Sequence, residues 1–142
     1  MKTRYSSLVT LKKSTMQKSE RVLQSANADL NSAAMALQLS YNSLDNIESP
    51  QSGKMSDMLA SRTLLDSGRG LINHNKDWEK FAKNQVSQAK EKLKSDMIEY
   101  EKFNYLELEE VKKMLKEMKI KEAKDLDEVA LMTHARKTKK ED

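Results

Sequence analysis

The sequence predicts an all-α protein: two long helices forming an antiparallel coiled-coil hairpin, the second helix longer and overhanging the first. Three observations carry that prediction. A large apolar residue returns every seventh position through Val9, Met16, Leu23, Leu30, Leu37 and Leu44, with no proline or glycine inside the run. One chain reversal, Glu48-Ser-Pro-Gln-Ser-Gly53, holds the only proline. The composition, 34% charged and 5% aromatic, suits long helices and cannot fill a broad three-dimensional core.

The first helix is expected over about residues 4–48. Its second column, Tyr5, Lys12, Ser19, Ala26, Ala33, Ser40 and Ile47, is mostly small or polar. Large knobs therefore alternate with small holes along one narrow seam. Such a seam cannot close a core alone and calls for a partner helix.

The reversal follows at 49–55. Pro50 disfavours helix in the residue before it, and Gly53 offers a left-handed turn position. Ser56 and Asp57 are expected to cap a second helix over about 56–136, with a basic and acidic tail at 137–142. The whole chain, 1–142, reads as a single hairpin. Gly68 and Gly70 each cost ~1 kcal/mol relative to alanine. The helix is expected to run through them, because Leu64, Leu65, Leu71 and Ile72 keep helical spacing on both sides. Beyond them the apolar residues read as an eleven-residue repeat: Trp78, Ala82, Val86; Ala89, Leu93, Met97; Tyr100, Asn104, Leu108; Val111, Leu115, Lys119. That period predicts a nearly straight or slightly right-handed helix in place of the usual left-handed supercoil. Trp78 and Phe81, one turn apart, are expected to be buried against the first helix. Acid precedes base by four residues at Glu79/Lys83, Glu109/Lys113 and Glu117/Lys121, each pair adding ~0.3 kcal/mol to helix stability.

Folding about the reversal pairs residue n with roughly 103 − n, so the first helix reaches to about Lys102. Some 35 residues then project alone, ~50 Å at 1.5 Å per residue. They carry Leu106, Leu108, Val111, Met114, Leu115, Met118, Leu126, Val129 and Met132. An apolar stripe that the chain cannot cover is a binding surface, for another copy of itself or for a partner.

Charge sets one end apart from the middle. Residues 1–25 hold six basic side chains against Glu20 alone, whereas residues 26–50 hold only the acids Asp29, Asp45 and Glu48. With no cysteine there is no disulfide, thiolate nucleophile or thiolate metal site. No apolar run reaches the length of a membrane span, and the N-terminal apolar stretch breaks too soon for a signal peptide. His74 and His134 stand far apart without helically spaced carboxylates, and there is no Gly-rich phosphate loop. No enzyme activity, metal or cofactor is expected. The basic ends lack a nucleic-acid reader motif and alternate with acids, so no nucleic-acid partner is expected. The nine methionines fit seam filling and an adaptable docking surface equally well.

Three segments resemble the FliJ family, the coiled-coil proteins of the flagellar type III export apparatus. Lys121-Glu122-Ala123-Lys124-Asp125-Leu126-Asp127-Glu128-Val129-Ala130 is similar to the family's lysine-rich C-terminal stretch. Met132-Thr133-His134-Ala135-Arg136-Lys137 resembles its basic ending, and Gly70-Leu71-Ile72-Asn73-His74 a stretch early in its second helix. The plan of a short first helix and a longer second one resembles it over the whole chain. The resemblance implies a cytoplasmic stalk at the flagellar base, peripheral to the inner membrane through its partners. It implies insertion into the hexameric export ATPase ring, contact with the cytoplasmic domain of the export gate, and escort of substrate chaperones. The ATPase contacts implied are Lys2, Arg4, Lys12 and Lys13 with Lys124, Leu126, Asp127, Glu128, Met132 and Arg136. The gate contacts implied are Gln38, Tyr41, Leu44 and His74. The rival reading is a self-associating coiled-coil scaffold unrelated to export.

Overall fold

The structure, a computed structural model, describes residues 2–48 and 53–141. Ser49, Pro50, Gln51 and Ser52, and with them most of the expected reversal, lie outside the described residues, as does the terminal Asp142. Two helices make up the fold: α1, Ser6–Asp45, and α2, Met55–Glu141. No strand occurs among the described residues.

The start of α1 is tied down by reciprocal bonds. The Tyr5 N–H donates to Thr3 Oγ1 at 3.1 Å, and the Thr3 N–H donates to Ser6 Oγ at 2.8 Å. Both donors belong to the set that a helix start leaves unsatisfied. At the other end the last turn tightens, the Ile47 N–H bonding to the Leu44 carbonyl at 3.2 Å. The start of α2 differs from expectation. The Lys54 carbonyl accepts from the N–H groups of Asp57 and Met58, so the helix begins at Met55 and Ser56 lies inside its first turn. Asp57 still opposes the positive end of the helix dipole. Gly53, at φ +155°, takes a backbone conformation that L side chains rarely adopt.

Both glycines of α2 are accommodated within a continuous helix, for different reasons. A Cβ on Gly68 would lie 2.9 Å from Leu44 Cδ1, so the missing side chain is the hole that the Leu44 knob fills. A Cβ on Gly70 would meet nothing within 4 Å.

The chain forms two compact units, Ser14–Met97 and Met1–Lys13 with Ile98–Asp142. In the first unit Ser19, Ala26, Ala33 and Ser40 are buried, while Leu23, Leu30 and Leu37 are half-buried beside them. Small residues set the closest approach of the helices, and the leucines close the sides. Against them α2 buries Ile72, Asn75, Ala82, Val86 and Ala89. The covered residues of α2 here are spaced alternately three and four apart, through Leu65, Gly68, Ile72, Asn75, Glu79, Ala82, Val86, Ala89, Leu93 and Asp96. This heptad replaces the expected eleven-residue repeat. Trp78 and Met97, two members of that repeat, are exposed. Trp78 (38%) and Phe81 (60%) are not buried against α1, because the seam turns past them at Asn75, Glu79 and Ala82.

Polar pairs fix the register. Ser19 Oγ donates to Asp96 Oδ2, and Asn75 Nδ2 donates to Ser40 Oγ and, at 3.2 Å, to the Ala36 carbonyl. Residue n therefore faces roughly 115 − n, which corrects the expected offset of 103. With Leu44 against Gly68, the first turns of α2 lie past the end of α1, and Met55 to Ala60 are all exposed.

In the second unit Tyr100, Phe103, Glu107, Glu110 and Met114 continue the same spacing. Ser6 Oγ donates to Glu107 Oε1 at 2.7 Å, and Arg4 lies 3.9 Å from Glu110. The start of α1 thus reaches Glu110, not Lys102. Every residue from Leu115 to Lys139 is exposed.

Candidate interaction surfaces

Three surface features of these helices hold the residues expected to make contacts. The N-terminal cations come first. Arg4 pairs with Glu110 and stacks 4.9 Å from the Tyr5 ring. Lys12 occupies a seam position, with Nζ 3.7 Å from Glu99 and 5.6 Å from the centre of the Phe103 ring. Both charges are partly neutralised within the chain, so the electropositive end is weaker than a count of residues suggests. Lys2 and Lys13 are exposed. Lys2 borders a shallow depression with Ser6, Ser7 and Thr10.

The second feature is the uncovered arm of α2. Leu115, Met118, Leu126 and Val129 recur at three or eight residues and fall on one face of the helix. Leu126 is 69% exposed and sits in a shallow concavity with Glu122, Asp125 and Val129. Lys124, Asp127, Glu128, Met132 and Arg136 are also exposed. Leu126 is sixteen residues beyond Glu110, ~24 Å along the helix. The residues expected to meet the ATPase therefore form two groups in one unit, not one patch.

The third feature lies in the Ser14–Met97 unit. His74, Asp77, Trp78 and Phe81 line one shallow depression, and Phe81 borders another with Val22, Ser25, Asp29 and Gln85. An aromatic shelf is thus left open on one flank of the hairpin. Tyr41 is elsewhere. Its ring lies 5.8 Å from Lys76 Nζ, and Lys76 is 200° from His74 around α2. Gln38 bonds to Asn42 at 3.2 Å, and Leu44 is taken up by Gly68. The four expected gate residues are consequently spread over both flanks and the seam.

Sequence reasoning missed Asn75 and Asp96 as register-setting residues. Asn75 is 6% exposed and Asp96 accepts from buried Ser19. The readable signal was a polar residue at three-four spacing from Ile72, Ala82, Ala89 and Leu93. Six methionines (Met35, Met55, Met58, Met97, Met118 and Met132) are exposed, and only Met16 and Met114 of the described ones lie in the seam.

No helix is long and apolar enough to cross a membrane among the described residues. Nor does any group of His, Asp and Glu there have the arrangement of a metal site. No curated protein and no solved structure matches the chain. A family model described as Flagellar FliJ protein matches residues 1–139. With that match spanning both helices, the chain belongs to the FliJ family, a non-catalytic component of flagellar type III protein export.

Proposed function

We propose that this protein is a cytoplasmic coiled-coil stalk at the flagellar base, which inserts into the export ATPase ring and links it to the export gate. The observation that carries this reading is the bare arm of α2, exposed from Leu115 to Lys139 and bearing an apolar stripe. A helix end with its own apolar face can enter a ring and contact several subunits in turn. Lys2, Lys13, Lys124 and Arg136 are exposed cations that would steer it towards acidic loops at low salt. The gate contact falls to the flank of His74, Trp78 and Phe81, which leaves aromatic area open for a partner. The same exposed aromatic and methionine side chains suit brief docking of substrate chaperones.

The test is ATP hydrolysis by the cognate export ATPase, with and without this protein, at two salt concentrations. Stimulation that falls with salt is expected. Leu126→Glu should reduce stimulation while leaving the helical circular dichroism unchanged. Equal stimulation by that variant removes Leu126 from the contact, and no stimulation or co-migration by the native chain removes the stalk reading.

A further inference from the structure

The bare arm has an order that an ordinary solvated helix does not need. Leu115 and Val129 stand seven residues either side of Glu122, and Met118 and Leu126 stand four either side. All five side chains fall within an arc of about 80° on α2. The stripe reads the same from both ends. Its charges do not: Lys116, Lys119 and Lys121 outnumber Glu117 before the centre, whereas Asp125, Asp127 and Glu128 outnumber Lys124 after it. A palindromic apolar stripe with opposite charge on its two halves fits a reversed copy of itself.

We propose that residues 115–129 of two copies pair as an antiparallel, two-fold symmetric helix pair centred on Glu122. Residue n of one copy then faces roughly 244 − n of the other. Leu115 packs against Val129, Met118 against Leu126, and each layer occurs twice, as an isologous contact requires. Like flanks meet in such a pair. Lys116, Lys119 and Asp127 share one flank, so each Asp127 meets the lysines of the other copy. Lys121 and Asp125 share the opposite flank and meet in the same way. A parallel pair would instead set acid block against acid block, which electrostatics disfavours. Glu122 meets its own copy, and Glu117 meets Glu128. These like-charge contacts, on a surface only two helices wide, keep the association weak and reversible. If Leu126 is also the ATPase contact proposed above, the pair is a stored form that hides it.

The test uses the full chain alone, by sedimentation from ~1 to ~200 µM at low and high salt. A concentration-dependent monomer–dimer equilibrium that weakens with salt is expected. Asp127→Lys and Lys116→Glu should each raise the dissociation constant about tenfold, and their combination should restore it. Orientation is read by cross-linking, since the native chain has no cysteine. Glu122→Cys should give a disulfide-linked dimer on oxidation, and Leu115→Cys should not. A monomer across the whole range overturns the proposal. So does a charge swap that fails to restore pairing, or cross-linking at Leu115→Cys as ready as at Glu122→Cys. No ATPase is present, so failure here leaves the stalk reading standing, and failure of the hydrolysis assay leaves this one.

Discussion

Gly68 and Gly70 give an internally controlled test of the seam, because they are two residues apart in one helix and differ in what lies above them. Replacing glycine by alanine in a helix interior gains ~1 kcal/mol from backbone entropy. At Gly70 the new methyl meets nothing within 4 Å, so Gly70→Ala should gain the full amount. At Gly68 it arrives 2.9 Å from Leu44 Cδ1, closer than ordinary van der Waals contact. Leu44 is half-buried and its tip can swing, so the overpacking cost sits at the low end of its range, ~1 kcal/mol. Gly68→Ala should therefore leave stability nearly unchanged.

The assay is urea unfolding followed by circular dichroism, applied to both variants and to each in a Leu44→Ala background. Without the leucine tip, Gly68→Ala should recover its gain of ~1 kcal/mol, giving a coupling of that size between positions 44 and 68. Gly70→Ala should show no coupling to Leu44. Equal gains at the two glycines in the native background would refute the close packing and, with it, the register at this end of the hairpin.

Ala33 is 0% exposed, so Ala33→Leu should destabilise the hairpin by ~1–3 kcal/mol in the same unfolding assay, whereas Ala34→Leu on the exposed side should not. Phe81→Ala should change stability by less than ~0.5 kcal/mol, because the ring is mostly outside the seam. It should nevertheless weaken capture of the cytoplasmic domain of the gate, and unaltered capture would remove the aromatic shelf from that contact.

The two helices were not equally legible. In α1 the large apolar residues stand in one column and the small ones in the next, so periodicity alone reveals the seam. In α2 the seam is occupied at intervals by Gly68, Asn75, Glu79 and Asp96, while Leu71, Trp78, Phe81 and Met97 sit outside it. Hydrophobicity there follows the exposed surface as much as the covered one, which is why an eleven-residue pattern emerged. The cations of the first segment were legible as charge but not as pairs, since Glu99 and Glu110 are about a hundred residues away. The offset between the helices was also hidden. A shortest-path reversal gives 103, and nothing in periodicity opposes it. What opposes it is the chemistry of individual layers.

That chemistry makes Asn75 the informative residue. Slipping α1 by one heptad would set Asn75 against Ala33, leaving a buried amide with no side-chain partner, at a cost of ~1–3 kcal/mol. The native register instead gives it Ser40 and the Ala36 carbonyl. A seam of small residues is tolerant of sliding, so one polar layer supplies discrimination that apolar packing lacks. Asn75→Leu should then hold or raise stability, by up to ~1 kcal/mol, because Ser40 keeps its 2.8 Å bond to the Ala36 carbonyl and no polar group is stranded. Its register should loosen. Paired cysteines read this directly: Ala26→Cys with Ala89→Cys reports the native offset, and Ala26→Cys with Ala82→Cys the slipped one. The native protein should cross-link only through the first pair, and Asn75→Leu through both. Cross-linking confined to the first pair in the variant would show that Ala26, Ala33 and the flanking leucines, with the Ser19–Asp96 bond, hold the register without Asn75, and the Asn75 layer would then need another reason to be there.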